Sequence, residues 1–183
     1  GVSSAASVVY KRQVPYVAAP GTQEKLSKRK VDKYRNIPQF KRVFEAADQV
    51  LPRSGRGGED RPDPVMVEYY EVMGYRPEAV FNALSRLGWS LDDKTEVVPI
   101  QTVIDNFTLD RITKSSAIFD QDKLQWMNGM YIRDLSPSQL ADAMMPFLER
   151  DLPKEVLPVD EGYLRQIAQL LQERMKSLEE SAN

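Results

Sequence analysis

The sequence predicts a mainly α-helical protein with a little strand near its N-terminus. Apolar residues recur at helical spacing over most of the chain, and glycine, proline and hydroxyl-bearing residues interrupt these runs at positions typical of helix ends. Residues 14–19 are the clearest exception, since this short apolar run contains β-branched residues and ends at Pro20-Gly21. It is typical of a strand that leads into a loop. A second short pair of strands is expected around Val97-Val98.

Seven helices follow from the end signals. Proline at the first helical position marks the starts at Pro38, Pro77 and Pro137, and Ser136 with Gln139 forms a predicted capping box. Gly74 is predicted to end a helix. The predicted helices cover residues 38–50, 64–73, 77–87, 100–107, 120–131, 136–148 and 160–180. Between the first two, residues 51–64 are rich in glycine, proline and charge, which predicts a loop and the best internal boundary.

Composition places the chain among ordinary soluble globular proteins of one large or two small domains. Of its 183 residues, 42% are hydrophobic and 28% are charged. It has no cysteine and no histidine, which excludes disulfides, Cys/His zinc sites, thiol nucleophiles and imidazole bases. No apolar run approaches the length of a membrane span. We therefore expect no membrane partner and a cytoplasmic location. Trp89, Trp126 and the methionines are expected in the core, the methionines being Met127, Met130, Met144 and Met145.

Positive charge is concentrated near the N-terminus, although the net charge of the chain is −2. Between residues 24 and 42 there are eight basic residues and two acidic ones. Such a block can attract phosphate while the rest of the chain remains acidic. The basic residues are Lys25, Lys28, Arg29, Lys30, Lys33, Arg35, Lys41 and Arg42.

The run Lys25-Leu26-Ser27-Lys28-Arg29 is the strongest candidate for a site within this block. It carries several cations and one hydroxyl over a short arc, and Gly21 gives the preceding loop freedom to approach a ligand. Preorganised cations of this kind stabilise the negative charge that builds on a polyphosphate during phosphate chemistry. By itself, a pentamer of this type is more often a solvated linker.

Five collinear blocks change that interpretation. Residues 25–29 resemble the KMSKS-type loop of class I aminoacyl-tRNA synthetases in its glutamyl variant, with leucine second and arginine last. Downstream blocks resemble the same family in the same order: residues 73–84 (MGYRPEAVFNAL), 87–90 (LGWS), 107–120 (FTLDRITKSSAIFD) with 123–132 (KLQWMNGMYI), and 171–178 (LQERMKSL). The resemblance covers the chain from about Val14 onwards, and identifies it as similar to glutamyl-tRNA synthetases.

The resemblance implies a division of the chain. Residues 14–63 would hold the KMSKS-type loop and the end of a Rossmann-like catalytic domain, residues 64–120 a helical stem-contact region, and residues 121–183 the start of an α-helical anticodon-binding bundle. Residues 36–63 are expected to be an insertion relative to short family members. Residues 1–13 resemble a translated sequencing-adapter tail, the alternative being a flexible native tail.

The resemblance also implies roles for particular residues. Lys28 would be the main contact to the ATP phosphates, supported by Lys25 and Ser27, while Leu26 and Arg29 complete the loop and Arg29 positions it. Three residues downstream are candidates for contacts to the tRNA backbone, which position an RNA without reading its sequence; the alternative is an ordinary solvated basic turn. They are Arg111, Lys114 and Ser115. The chain departs from the family at Lys30, where many glutamyl enzymes have histidine.

By family, the substrates and partners are ATP with Mg²⁺, glutamate and tRNA(Glu), with no zinc site and a monomeric enzyme. The His-Ile-Gly-His ATP motif of the family is not present, because the sequence has no histidine. We therefore expect a fragment of a glutamate–tRNA ligase that is inactive alone. Two alternatives remain: a stand-alone helical RNA-binding module derived from a synthetase tail, and a glutaminyl-tRNA synthetase, which the LGWS and 110–120 blocks fit less well.

Overall fold

The fold is mainly helical, as the sequence predicts, in a computed structural model that describes residues 13–58 and 61–182. Eight α-helices occur in these ranges: α1 (Val31–Tyr34), α2 (Pro38–Val50), α3 (Val67–Val72), α4 (Pro77–Ser85), α5 (Ile100–Asn106), α6 (Gln121–Arg133), α7 (Pro137–Asp151) and α8 (Glu161–Gln172). Short 3-10 turns follow at Lys28–Lys30, Leu109–Arg111, Lys154–Val156 and Leu178–Ala182. The expected adapter-like tail lies outside the described residues, apart from Gln13.

A short parallel pair of strands joins the two ends of the region that precedes α6. Strand β1 (Val17–Ala18) pairs with β2 (Ala117–Ile118), with Val17 opposite Ala117. The strand near the N-terminus is therefore confirmed, although only its centre is paired. Because the partners lie about one hundred residues apart in sequence, local patterning could not have predicted their pairing.

The strand pair expected around Val97-Val98 is wrong. These residues belong to no strand, and Val98 is instead buried and held by side chains. Its backbone N–H donates to Asn82 Oδ1 at 2.7 Å, and its carbonyl accepts from the Tyr131 hydroxyl at 3.3 Å. Asn82, which is fully buried on α4, thus takes the place of a neighbouring strand as the hydrogen-bonding partner.

Most helix starts agree with the prediction, since capping chemistry is local; the exception is α3, which begins at Val67 and not at Pro64. Pro38, Pro77 and Pro137 are the first residues of α2, α4 and α7. Ser136 and Gln139 form the predicted capping box before α7. Asp120 caps α6 by accepting from the Lys123 backbone N–H at 3.0 Å. These side chains satisfy backbone N–H groups that lack partners within the helix.

The predicted helix over residues 160–180 is too long. Helix α8 ends at Gln172, and the chain turns back so that the Leu178 N–H donates to the Gly74 carbonyl at 2.9 Å. Met175 and Leu178 are buried by this turn, in the same cluster as residues of α7 and α8. Gly74 has a φ of 71°, the left-handed conformation expected of the glycine that follows a helix. A tertiary contact thus overrides a continuous helical pattern.

Four apolar clusters fill the interior. The largest lies between α7, α8 and the end of α6; the second lies between α2, α3 and the start of α6; the third surrounds α1 and the start of α2; and a small one surrounds Trp89. Met127 and Met144 are buried as predicted, and Met145 packs at the edge of the largest cluster. Two core assignments are wrong, because Met130 and Trp126 are 38% and 42% exposed.

Within the described ranges, no helix is long and apolar enough to span a membrane.

Candidate phosphate-binding loop and RNA-contact segment

The lysine-rich loop is the return arm of a small hairpin built on β1. The Ala19 N–H donates to the Glu24 carbonyl at 3.0 Å, and the Leu26 N–H donates to the Val17 carbonyl at 2.8 Å. Lys25 accordingly lies opposite Ala18 in an antiparallel bridge. The loop backbone is therefore fixed at its start by the same strand that pairs with β2.

Two further hydrogen bonds fix the middle of the loop. The Ser27 N–H donates to the Tyr34 hydroxyl at 2.8 Å, and the Arg29 N–H donates to Ser27 Oγ at 3.3 Å. Ser27 is thus the cap of the 3-10 turn Lys28–Lys30. The side chain of Leu26 is half-buried against two of the apolar clusters. These contacts point the remaining side chains of the loop towards solvent.

The three predicted phosphate-binding cations are available for a ligand. Lys25, Lys28 and Arg29 are exposed, and none of them pairs with a carboxylate among the residues that the structure describes. A short arc of the loop therefore presents three positive charges together with the Ser27 hydroxyl, which is half-buried. This arrangement fits a polyphosphate, because cations and donors that are already in place need no reorganisation on binding.

Lys30 is different, since its charge is already compensated. Its Nζ atom donates to Glu24 Oε2 at 2.7 Å across the base of the hairpin. This hydrogen bond, the charge of Lys30 and the charge of Lys33 together lower the pKa of Glu24, and the same bond raises the pKa of Lys30. The negative charge of Glu24, which precedes Lys25 in the chain, is therefore compensated by Lys30. Lys25, Lys28 and Arg29 are left to attract an anion.

The predicted RNA-contact residues lie on a segment that is hydrogen-bonded to the rest of the fold as far as Thr113. The Arg111 guanidinium donates to the Leu91 carbonyl, and the Thr113 N–H donates to the Gly88 carbonyl at 2.8 Å. Lys114 and Ser115, by contrast, are exposed and make no hydrogen bond or ion pair within the described ranges. Arg111 therefore has a structural role that sequence reasoning missed.

The fold brings the loop and this segment to opposite edges of one strand. Lys25 bridges Ala18 on one edge, and Ile118 pairs with Ala18 on the other. Since neighbouring strands lie about 4.8 Å apart, the two backbones run within roughly 10 Å of each other at this point. A shallow groove of 370 Å³ lies beside this strand, lined by Tyr16, Ala18, Thr22, Gln23, Ser116 and Ile118.

Across residues 13–58 and 61–182, no group of three or more acidic side chains is placed to hold a metal ion. The loop instead supplies cations and hydrogen-bond donors, which fits a ligand that brings its own divalent ion, as a nucleoside triphosphate does.

The amino-acid sequence matches a protein family and individual enzymes of known function. Residues 60–126 match the family model described as tRNA synthetases class I (E and Q), catalytic domain. A glutamate–tRNA ligase from Dehalococcoides mccartyi (strain CBDB1) is 47% identical over 116 residues, and one from Roseiflexus castenholzii is 42% identical over 142 residues. These alignments cover 62% and 76% of the chain.

The chain belongs to the glutamyl-tRNA synthetase family.

Solved structures agree with this assignment. A glutamate tRNA ligase from Elizabethkingia meningosepticum, in complex with its amino acid, matches 91% of the chain with a TM-score of 0.62 and 25% identity. The glutamate-tRNA synthetase of Elizabethkingia anophelis matches with the same TM-score and 26% identity. The chain spans only part of these proteins: 23% and 28% of the two curated relatives, and 30% of each solved chain.

Proposed function

We propose that the chain forms the ATP-phosphate loop and part of the tRNA-contacting surface of a glutamate–tRNA ligase, which attaches glutamate to tRNA(Glu) with ATP and Mg²⁺. The observation that carries the proposal is the arc of three exposed, uncompensated cations at Lys25, Lys28 and Arg29, held by a backbone that is fixed on both sides. A monomeric state and a cytoplasmic location, both implied by the family, belong to the same proposal.

Activation of glutamate by ATP moves negative charge onto the departing pyrophosphate. By family resemblance Lys28 would contact the phosphates most directly, with Lys25 and Ser27 supporting it. Lys28 directly follows Ser27, the N-cap of the 3-10 turn. Arg29 donates its backbone N–H to the Ser27 cap, so its position is coupled to that of the hydroxyl. Charge stabilisation by such groups accelerates phosphoryl and adenylyl transfer without covalent chemistry by the protein.

Transfer of the glutamyl group to tRNA requires that the RNA be held by its backbone. Lys114 and Ser115 offer a charge and a hydroxyl just before β2, the strand that pairs with β1. Contacts of this kind position an RNA and add a salt-dependent term to its affinity. In this proposal residues 64–120 form the stem-contact region and residues 121–183 begin the anticodon-binding bundle.

A chimaera tests the proposal as a whole. Residues of this chain would replace the aligned segment of the Roseiflexus castenholzii ligase, and glutamylation of tRNA(Glu) would be measured with Lys28 intact and as Lys28→Ala. Lys154→Ala is the matched control, because Lys154 is, like Lys28, an exposed lysine at the first position of a 3-10 turn. We expect an active chimaera, a loss of at least about 10²-fold in kcat for Lys28→Ala, and no change for the control.

Two other outcomes would contradict the proposal. Equal activity of Lys28→Ala and Lys154→Ala in an active chimaera would contradict the assignment of the loop. Strong tRNA binding by the chain, combined with a loop whose lysines have no effect on activity, would instead support a free-standing RNA-binding module.

A further inference from the structure

We infer that Tyr34 is a positioning residue for the phosphate-binding loop, because its hydroxyl accepts a hydrogen bond from the backbone N–H of Ser27. This inference rests on the proposed function of the loop, and it assigns a role to a side chain outside the Lys25–Arg29 run. Through Tyr34, the helical segment of α1 and α2 determines where the loop holds its cations.

The contact lies at the centre of the loop. Ser27 has extended backbone angles, φ −146° and ψ 131°, and the 3-10 turn that carries Lys28 and Arg29 begins immediately after it. The Ser27 N–H donates to the Tyr34 hydroxyl at 2.8 Å. Because a rotation at this residue would swing both following side chains, an acceptor that fixes the Ser27 N–H also fixes the direction of Lys28.

Tyr34 is itself rigidly held. It is 4% exposed, and its ring stacks on that of Phe40 with a centroid distance of 5.5 Å and an angle of 25° between the planes. Phe40 is fully buried on α2 and belongs to the same apolar cluster, and the Ile37 N–H donates to the Tyr34 carbonyl at 2.9 Å. The ring is thus anchored in the core, and only its hydroxyl reaches the loop.

The contribution of the Tyr34 hydroxyl can be measured separately from that of the ring. Tyr34→Phe keeps the stacked ring and removes only the acceptor, so the core should stay packed while the half-buried Ser27 N–H loses its partner. A net hydrogen bond contributes about 0.5–1.5 kcal/mol, which corresponds to a change of about 2- to 12-fold in a local equilibrium. Tyr69→Phe is the control, since Tyr69 is 2% exposed and also uses its hydroxyl for a single backbone contact, to the Val43 carbonyl at 3.1 Å.

Three measurements on the full 183-residue chain test the inference. Amide hydrogen exchange, resolved by NMR, reports on the Ser27 and Arg29 backbones. Calorimetric titration with tripolyphosphate reports on the cation arc, and thermal unfolding reports on global stability. For Tyr34→Phe we expect exchange at Ser27 to accelerate by about 2- to 12-fold and tripolyphosphate binding to weaken by a similar factor. Tyr69→Phe should lower Tm comparably but leave both loop measurements at their wild-type values.

A second variant keeps the inference testable if Tyr34→Phe does not fold. Phe40→Leu retains the Tyr34 hydroxyl but loosens the ring beneath it, and should also accelerate exchange at Ser27. The inference is overturned if exchange at Ser27 in Tyr34→Phe is the same as in the wild type or the same as in Tyr69→Phe, or if exchange accelerates while tripolyphosphate affinity stays unchanged.

Failure of the proposed phosphate-binding function would give a different result from failure of the inference about Tyr34. If Lys28→Ala binds tripolyphosphate as tightly as the wild type, the loop is not a phosphate site and the proposed function fails. The exchange rate of Ser27 in Tyr34→Phe then still decides whether Tyr34 holds the loop, because that measurement involves no ligand.

Discussion

The side chain of Asn128 is the partner of the backbone of Arg76, a residue 52 positions earlier in the chain. Asn128 Oδ1 accepts the Arg76 N–H at 2.7 Å, and Asn128 Nδ2 donates to the Lys176 carbonyl at 2.6 Å. The amide is fully buried on α6. One side chain therefore connects the start of α4, the centre of α6 and the turn that follows α8.

Replacing Asn128 by alanine should destabilise the fold strongly. The change leaves a backbone N–H and a backbone carbonyl without their partners, and each such buried group costs about 1–3 kcal/mol. We expect the free energy of unfolding, from urea titration, to fall by about 2–4 kcal/mol. Asn106→Ala is the control, because Asn106 is exposed at the end of α5 and its side chain bonds, within the described residues, only to the Thr102 carbonyl. Equal losses for the two variants would contradict the bridging role.

Gly74 and Gly55 share the same backbone conformation but differ in the space around them. Both have a φ of 71°. A Cβ atom at Gly74 would lie 2.7 Å from the Glu179 nitrogen and 2.8 Å from the Leu178 nitrogen, whereas nothing lies within 4 Å of one at Gly55. Gly55→Ala should therefore cost only the left-handed strain, about 1–2 kcal/mol.

Gly74→Ala should cost clearly more than Gly55→Ala, because the backbone of the C-terminal turn must move away from the new methyl group. Thermal unfolding of the two variants measures the difference. Similar Tm values would show that the turn over residues 175–182 does not pack on Gly74 in solution.

Asp92 provides a pH-dependent contribution to stability. Its carboxylate accepts from the Thr95 N–H at 2.5 Å, the Thr95 hydroxyl at 2.7 Å and the Lys94 N–H at 2.7 Å. These hydrogen bonds, with a smaller contribution from the charge of Arg111, lower the pKa of Asp92 below the ordinary value of an aspartate. A lowered pKa in the folded state means that the contribution is present above the unfolded value and is lost as the pH falls through the folded value.

We therefore expect wild-type protein to be more stable than Asp92→Ala at pH 7, and the charge-dependent part of that gap to disappear as the pH is lowered through the folded pKa of Asp92. Urea unfolding midpoints between pH 7 and pH 2 measure this. The adjacent Asp93 is exposed and accepts no hydrogen bond in the described residues, so Asp93→Ala should show no such gap. A gap that widens towards low pH would have the wrong sign for this explanation.

Lys114 and Arg111 should differ in how they affect RNA binding. Lys114→Ala removes a free cation, so the slope of log K against log salt for tRNA binding should fall by about one unit with Tm unchanged. Arg111→Ala also removes the hydrogen bond to the Leu91 carbonyl, and should lower Tm as well. Filter binding at several salt concentrations and thermal unfolding together measure both effects. An unchanged slope for Lys114→Ala would mean that the segment is an ordinary solvated turn.

Local sequence signals predicted most of the helix starts. The structural features that the sequence did not predict depend on tertiary contacts. Pro38, Pro77 and Ser136 act on their own first turns, so their roles can be read from spacing. The end of α8 and the environment of Val98 depend instead on Gly74 and Asn82, which lie far away in the sequence.

The same distinction applies to the candidate site. The lysines of the loop could be predicted because their charges and spacing are local. The Ser27–Tyr34 hydrogen bond could not, because nothing in the pattern shows that a tyrosine seven residues later returns its hydroxyl to the loop. The approach of the segment that contains Lys114 to β1 likewise depends on the pairing of β1 with β2.

We expect the Lys25–Arg29 loop to bind polyphosphate through Lys28. Calorimetric titration of the 183-residue chain with tripolyphosphate, comparing wild type, Lys28→Ala and Lys154→Ala, measures this binding. We predict measurable binding that weakens by about tenfold in Lys28→Ala, as the loss of one charge-assisted contact of about 1.5 kcal/mol implies, and remains unchanged in Lys154→Ala. Identical affinities for all three proteins would contradict the account.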